Sequence, residues 1–162
     1  MKGLKFAAIT SVSLLLVVAC LVGYLFLTAE VQVVEITAQG QEVTADELVN
    51  IRKSIAENTL LGTLYQEPLQ WDDASEYIHL EYTIRLLNNC LVPIDMIEAQ
   101  IVPQTNDILQ TADLNVHSLD MKSDGNLKAS ILTTKHAHPV REIIITYYVW
   151  GVSFSLKTMY GA

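Results

Sequence analysis

The chain has 162 residues, of which 51% are hydrophobic, and its formal net charge is −8. All 18 acidic residues lie at or after Glu30, together with eight of the 10 basic residues, so the excess of negative charge is concentrated there. A surface of that sign repels phosphate backbones, which excludes nucleic acid as a partner. The apolar content after Glu30 excludes a disordered chain and suffices for the core of one domain.

The first element is an apolar run, Ser11 to Thr28, "SVSLLLVVACLVGYLFLT". No charged residue occurs between Lys5 and Glu30. A helix of that length extends at least about 33 Å and covers the roughly 30 Å hydrocarbon layer of a bilayer, whereas the apolar core of a secretory signal is shorter, about 7–15 residues. We therefore predict a cytoplasmic N-terminus at 1–5, a transmembrane signal-anchor helix in membrane lipid at 6–29, and an extracytoplasmic domain at 30–162.

Two alternatives to a retained anchor remain open for this apolar run. Val17-Val18-Ala19-Cys20 resembles a lipobox, in which Cys20 becomes the lipidated first residue of a lipoprotein, although an apolar segment follows it here instead of a polar tether. The second alternative is a cleaved signal, for which Leu27-Thr28-Ala29 places a bulky Leu where a small residue is needed. In a retained anchor, Cys20 is one small apolar residue of the membrane helix.

The charges on either side of the run predict its orientation. Lys2 and Lys5 precede it, whereas Glu30 and Glu35 follow it, and the next basic residue is Arg52. Because positively charged flanks stay in the cytoplasm, the N-terminus is predicted inside and the rest outside, in a single-pass protein of the cell membrane. The absence of an Asn-x-Ser/Thr sequon fits a bacterial envelope.

The domain after the run is predicted to begin with a strand and a short helix. The strand is "VQVVEITA", Val31–Ala38, and the helix spans about 45–57. Thr44 and Glu47 have the spacing of a capping box at the helix start, and Asn58 is a typical C-terminal stop. The apolar face of the helix consists of Leu48, Ile51 and Ile55.

From Thr59 onward, apolar and polar residues alternate as in a sheet with one solvated face. The clearest case is Tyr77–Asn88, where Ile78, Leu80, Tyr82, Ile84 and Leu86 share one side. In "KSDGN", Asp-Gly predicts a tight hairpin turn because it favours positive φ angles, and Gly151 predicts a bend or bulge. The other strands are predicted at 59–66, at 94–102, at 107–119 as one or two short edge strands, after the hairpin, at 141–150 and at 152–159.

About eight short strands and one short helix near the start predict a mainly β fold, an immunoglobulin-like β-sandwich preceded by a single transmembrane helix. The segment Tyr82–Pro103, "YTIRLLNNCLVPIDMIEAQIVP", resembles the strand–Asn–turn–strand unit of immunoglobulin/fibronectin III-like sandwiches, especially membrane-anchored domains of the LEA14/WHy type. The resemblance covers roughly Tyr77 to Thr158. It implies a domain that binds or scaffolds and does not catalyse.

Candidate cation ligands occur in two places. His136 and His138 in "KHAHP" are two residues apart, so both could reach one metal ion from an extended chain. Further ligands for that ion, by residue type alone, are Asp120, Asp124 and His117. The loop "WDDASEY" carries possible Ca²⁺ ligands in Asp72, Asp73 and Glu76. In both places a solvated loop is the alternative, and we predict no bound metal and no cofactor.

The thiol and the aromatic residues of the domain give two further predictions. Cys90 is the only thiol after the apolar run, so it has no partner for an internal disulfide, and we predict a buried, unreactive side chain. Tyr147 is predicted to lie in the core. Tyr148 and Trp150 are candidates for an exposed patch that binds a protein partner.

No catalytic motif is present: the chain has no Gly-x-Ser-x-Gly, no Gly-rich phosphate loop and no Cys-x-x-Cys. We therefore predict a protein that is not an enzyme. The sequence favours a membrane-anchored extracytoplasmic interaction or scaffold domain, an accessory part of a bacterial envelope complex with an unidentified protein partner. The alternative is a ligand- or cation-binding envelope protein or lipoprotein.

Overall fold

The computed structural model describes residues 2–66 and 73–161. Within them, helix α1 spans Lys2–Leu27 and helix α2 spans Ala45–Ala56, and a single 3-10 turn lies at Ala74–Glu76. The strands are β1 Val31–Glu42, β2 Gly62–Leu64, β3 Tyr77–Asn88, β4 Ile94–Ile101, β5 Asp107–Thr111, β6 His117–Leu119, β7 Asp124–Thr134, β8 Arg141–Val149 and β9 Val152–Tyr160.

The strands form two antiparallel sheets, so the predicted mainly β sandwich is confirmed. The first sheet has the order β1-β3-β7-β5-β2 and the second has the order β6-β4-β8-β9. The segment predicted as edge strands divides between the sheets. β6 is an edge of the second sheet, whereas β5 lies inside the first because the short strand β2 pairs with it.

The core lies between the sheets and follows from the alternation in the sequence. In β3, alternate residues are buried, and they face the buried residues of β4 and β8 across the sandwich. Full burial of one such aliphatic side chain contributes about 1.5–3 kcal/mol. The fully buried members of this core include Tyr82, Ile84, Leu86, Ile94, Ile101, Ile131, Ile143 and Ile145.

Helix α2 closes the end of the sandwich farthest from α1. The Thr44 hydroxyl accepts a hydrogen bond from the Glu47 amide (3.3 Å), as predicted for the cap. The Glu47 carboxylate contacts His79 of β3 at 3.1 Å. At the other end of the helix, Asn58 has a φ of 57°, and the Asn58 and Thr59 amides bond to the carbonyls of the last turn. The predicted apolar face packs on a second core cluster with Leu48 buried and Ile51 and Ile55 partly buried.

The connection between β6 and β7 is not the predicted hairpin. The two strands belong to different sheets, and the turn falls at residues 120–123, where Lys122 has a φ of 55°. Gly125 lies inside β7, opposite Leu86 of β3. A Cβ atom on Gly125 would lie 2.5 Å from Leu119 Cδ2, so this glycine permits close packing of the crossing chain and does not make a turn.

Helix α1 is a single continuous helix at the start of the chain. Its segment Ile9–Leu27, 19 residues with a mean hydropathy of 2.4, is long and apolar enough to cross a membrane, and none of its hydrophobic window is buried. It is one such helix among the residues that the structure describes. Three residues separate its end from the start of β1.

Candidate functional site

The end of α1 packs on the sandwich through Phe26. The Phe26 ring lies edge-on to Trp150 with a centroid distance of 5.6 Å, and it stacks on Phe154 at 6.3 Å. Phe154 in turn stacks on Tyr147 at 5.7 Å, and the pKa of Tyr147 is raised by burial. Tyr147 is buried, as predicted. A chain of aromatic rings therefore joins the last turn of the helix to the core.

Asn88, the last residue of β3, organises the loops next to the helix. Its side chain is fully buried. The Asn88 amide nitrogen Nδ2 lies within hydrogen-bond distance of the carbonyls of Val92 (3.0 Å), Leu119 (3.2 Å) and Asp120 (2.8 Å). Its Oδ1 accepts a hydrogen bond from the Cys90 amide (2.9 Å). One amide group therefore holds the loop after β3 and the turn after β6 together. The sequence places an Asn at this strand end but gives no sign of these partners.

Three loops meet at this end of the domain and expose apolar side chains. The loop after β3 bonds to the short link between α1 and β1, through the Asn89 amide and the Glu30 carbonyl (3.0 Å). The turn at 120–123 bonds to the same loop through Lys122 Nζ and the Asn89 carbonyl. The third loop is the β8–β9 hairpin that touches Phe26. We call the apolar side chains at the loop tips the helix-proximal rim. It consists of Leu91, Met121, Trp150 and Val152, each between 48% and 60% exposed.

The hairpin that carries Trp150 has an unusual backbone. Val149 pairs with Val152, so Trp150 and Gly151 form a two-residue loop with φ angles of 49° and 79°. Such a loop normally has Asn or Gly at its first position. A large side chain in the left-handed region costs roughly 1–2 kcal/mol. The bend predicted at Gly151 is therefore present, and it places Trp150 at the tip.

Tyr148 and Trp150, the predicted partner patch, have different surroundings. Tyr148 is half-buried on the outer face of the second sheet, between Asp95 of β4 and Ser153 of β9. Trp150 is 54% exposed, and its ring contacts Phe26. Binding of a partner by either residue stays a prediction.

His136 and His138, the candidate metal ligands, are both exposed in the loop before β8. Asp124 begins β7 and this loop follows its last residue, Thr134. An 11-residue strand is about 33 Å long, so neither Asp124 nor the nearby Asp120 can join the two histidines at one ion. The remaining candidate, His117, pairs with Asp113 at 2.6 Å. Among the residues that the structure describes, no group of three His, Cys, Asp or Glu side chains could hold a metal ion.

The histidine loop is fastened by a buried ion pair that the sequence did not reveal. Arg141 at the start of β8 makes two bonds to Asp107 at the start of β5, from Nε to Oδ2 (2.9 Å) and from Nη2 to Oδ1 (2.6 Å). Both side chains are fully buried. Arg141 also donates to the carbonyls of His138 and Val140. The pair joins the two sheets and fixes the loop, so its role is structural.

The acidic loop falls only partly within the described residues. Asp72 and Trp71 lie outside them. Asp73 caps the 3-10 turn by accepting a bond from the Ser75 amide (2.8 Å). Hydrogen bonds from Ser75 lower the pKa of the Asp73 carboxyl. Asp73 therefore has a structural role in starting the turn.

The two cysteines lie in different environments. Cys90 is buried, as predicted, and its Sγ lies 3.6 Å from the Glu30 carbonyl. Burial raises the pKa of the Cys90 thiol, which lowers its thiolate fraction and its reactivity. Cys20 is exposed on α1. Its lipidation stays an alternative prediction.

A cleft of about 590 Å³ opens between the edges of the two sheets. Three exposed apolar side chains line the cleft: Met96, Leu114 and Val116, which are 58%, 72% and 82% exposed. Met96 interrupts β4 at a bulge, with a φ of 48°. The cleft also contains the Asp113–His117 pair. Burial raises the pKa of Asp113, but hydrogen bonds from Asn115 and His117 outweigh this and lower it.

No protein-family model matches the chain, and no curated protein matches it either.

Proposed function

We propose that the chain is a single-pass membrane protein that presents a non-catalytic interaction domain outside the membrane. Its N-terminus is cytoplasmic, α1 spans the bilayer, and the acidic sandwich serves as an accessory or scaffold part of a bacterial envelope complex. This proposal includes the resemblance to sandwiches of the LEA14/WHy type, which bind or scaffold.

One observation carries the proposal: a helix with a 19-residue apolar span, none of whose hydrophobic window is buried, runs into a folded domain after three residues. In water, side chains such as Leu15, Leu16 and Val17 would be left 59–73% exposed. A bilayer removes that apolar surface from water. The basic residues before the span and the acidic residues after it favour the proposed orientation.

Cysteine labelling of intact cells tests the topology. Starting from Cys20→Ala, we expect a membrane-impermeant maleimide to label Val49→Cys, an exposed position on α2. The matched variant Gly3→Cys should be labelled only after the cells are permeabilised. Buried Cys90 is present in both variants and should remain unlabelled, which reports that the domain is folded. Labelling of Gly3→Cys in intact cells would reject the orientation.

The mass of the purified protein separates the three fates of the apolar run. A retained anchor gives the mass of the whole chain. A lipoprotein lacks residues 1–19 and carries acyl chains on Cys20, and a cleaved signal lacks the run without added lipid. Either of the last two masses would contradict the transmembrane proposal.

Crosslinking on the outer face of the second sheet tests the interaction role. Tyr148 is the candidate contact there, and Tyr148→Ser should abolish co-purification of a crosslinked partner while the domain stays folded. Val49→Ser removes an exposed apolar side chain from α2 and serves as the control. Equal recovery of the same partner from both variants would exclude Tyr148 as the contact.

The cleft favours ligand binding as a second candidate function. The cleft is concave and is lined by apolar side chains together with polar groups such as the Asp113–His117 pair. Binding sites for small molecules typically combine a concave shape and apolar lining with a few polar groups. The fluorescence of an apolar probe should increase when the protein is added. It should increase much less when a Leu114→Ser, Val116→Ser variant is added. An equal increase in fluorescence with this variant would exclude the cleft as the binding site.

A further inference from the structure

We propose that the helix-proximal rim inserts into the lipid interface of the outer leaflet, so that the sandwich rests on the bilayer. The inference depends on the proposed function, because it needs α1 to span the membrane. It assigns Trp150 to lipid and leaves Tyr148 as the candidate contact for a protein.

The position of the rim follows from its contact with the helix. Phe26 belongs to the last turn of the apolar span, which ends at Leu27. Trp150 touches the Phe26 ring, so it lies at the depth where α1 leaves the hydrocarbon. Trp is enriched at this depth in membrane proteins because its ring is apolar and its N–H is polar.

The backbone conformation of the hairpin also supports insertion of Trp150 into the lipid interface. Trp150 occupies a left-handed position that a small residue would fill more easily. The fold therefore tolerates strain to present an indole at a tip, and strain of this kind is retained where it serves a function.

The other members of the rim extend the apolar surface to the neighbouring loops. Leu91 and Met121 come from the two loops that Asn88 holds together, so their positions are fixed before any membrane contact. Val152 follows the hairpin turn. The domain as a whole is acidic and is repelled by anionic headgroups. Apolar insertion therefore provides the attraction to the bilayer.

Tryptophan quenching in vesicles tests the insertion. The chain has two tryptophans, so Trp71→Phe leaves Trp150 as the only one. In the full-length chain, reconstituted in phosphatidylcholine vesicles with brominated acyl chains, we expect Trp150 to lose most of its fluorescence relative to unbrominated vesicles. A Trp71→Phe, Trp150→Phe, Leu91→Trp variant should lose a similar fraction if the whole rim inserts.

The control places a tryptophan at the far end of the same hairpin. Met159 is 53% exposed, close to the 54% of Trp150, and lies seven residues along β9 from Val152, or about 23 Å. A Trp71→Phe, Trp150→Phe, Met159→Trp variant should therefore stay bright in brominated vesicles.

Extraction of the vesicles at alkaline pH distinguishes failure of the rim from failure of the anchor. Protein that stays with the vesicles while Trp150 is quenched no more than the Met159→Trp control would overturn the rim proposal and leave the anchor standing. Protein that washes off would overturn both.

Discussion

At the scale of single residues, the folded state depends on a few buried polar groups that each satisfy several partners. Asn88 is the clearest case, because its amide group faces three carbonyls and one amide in a site closed to water. A buried polar group that loses its partners costs about 1–3 kcal/mol. The sequence predicts such a residue only as the end of a strand.

Replacing Asn88 should therefore destabilise the domain strongly. We expect Asn88→Ala to lower the free energy of unfolding by about 2–4 kcal/mol, because several backbone groups lose their bonds at once. The measurement is urea unfolding followed by circular dichroism. Asn126→Ala, at an exposed position of β7, is the control, with a change within about 0.5 kcal/mol. A similarly small change for Asn88→Ala would contradict the role of this amide.

Tyr82 should make stability depend on alkaline pH. Burial raises the pKa of Tyr82 to about 12, and its hydroxyl donates to the Pro139 carbonyl at 2.6 Å. Because the folded-state pKa lies above the unfolded value of about 10, its contribution is fully present below pH 10 and is lost as the pH rises towards 12. We expect the stability difference between the wild type and Tyr82→Phe to shrink between pH 9 and about 11.5 in urea unfolding. A stability difference that does not change with pH would contradict a contribution from the protonated Tyr82 hydroxyl.

At the scale of elements, local signals predicted α2 and most strands well. The helix cap, the apolar face and the stop at Asn58 depend on residues close together in the chain, so sequence spacing contains them. The β6–β7 connection shows where this fails. Asp-Gly favours a hairpin locally, but Gly125 lies inside β7, where Leu119 packs closely against it as the chain crosses between the sheets.

The stop of α2 gives a test of backbone conformation alone. Asn58 is exposed and left-handed, a conformation that Gly adopts freely and Ala does not. We expect Asn58→Ala to lower the free energy of unfolding by about 1 kcal/mol and Asn58→Gly to leave it unchanged or slightly higher. Thermal and urea unfolding measure both variants. If Asn58→Ala and Asn58→Gly changed the free energy of unfolding equally, the left-handed conformation of residue 58 would not limit stability.

At the scale of the whole molecule, different bonds secure the two ends of the sandwich. The aromatic rings and Asn88 secure the end next to α1. At the other end, Arg141 and Asp107 join the second sheet to the first. The sequence predicted that two sheets pack together. It could not predict the rim or this ion pair, because each joins residues from segments far apart in the chain.

Replacing one partner of the ion pair should lower the free energy of unfolding more than replacing both partners. Arg141→Met leaves the Asp107 charge buried without its partner, and we expect a loss of about 3–5 kcal/mol. Adding Asp107→Leu should recover much of that loss, since no unpaired charge then remains. Urea unfolding of the single and double variants measures the difference. A double variant no more stable than Arg141→Met would show that the buried charge is not the cause.

The short link between α1 and β1 limits how the protein can meet other molecules. Thr28, Ala29 and Glu30 extend at most about 11 Å, and Ala29 itself packs on the core. With α1 in a bilayer, the short link keeps the sandwich close to the membrane surface. A partner that binds the sandwich must therefore come within the height of one domain of the lipid. A binding protein in the same bilayer searches two dimensions, and this confinement raises its effective concentration. A contact of modest affinity would then suffice for a lasting assembly.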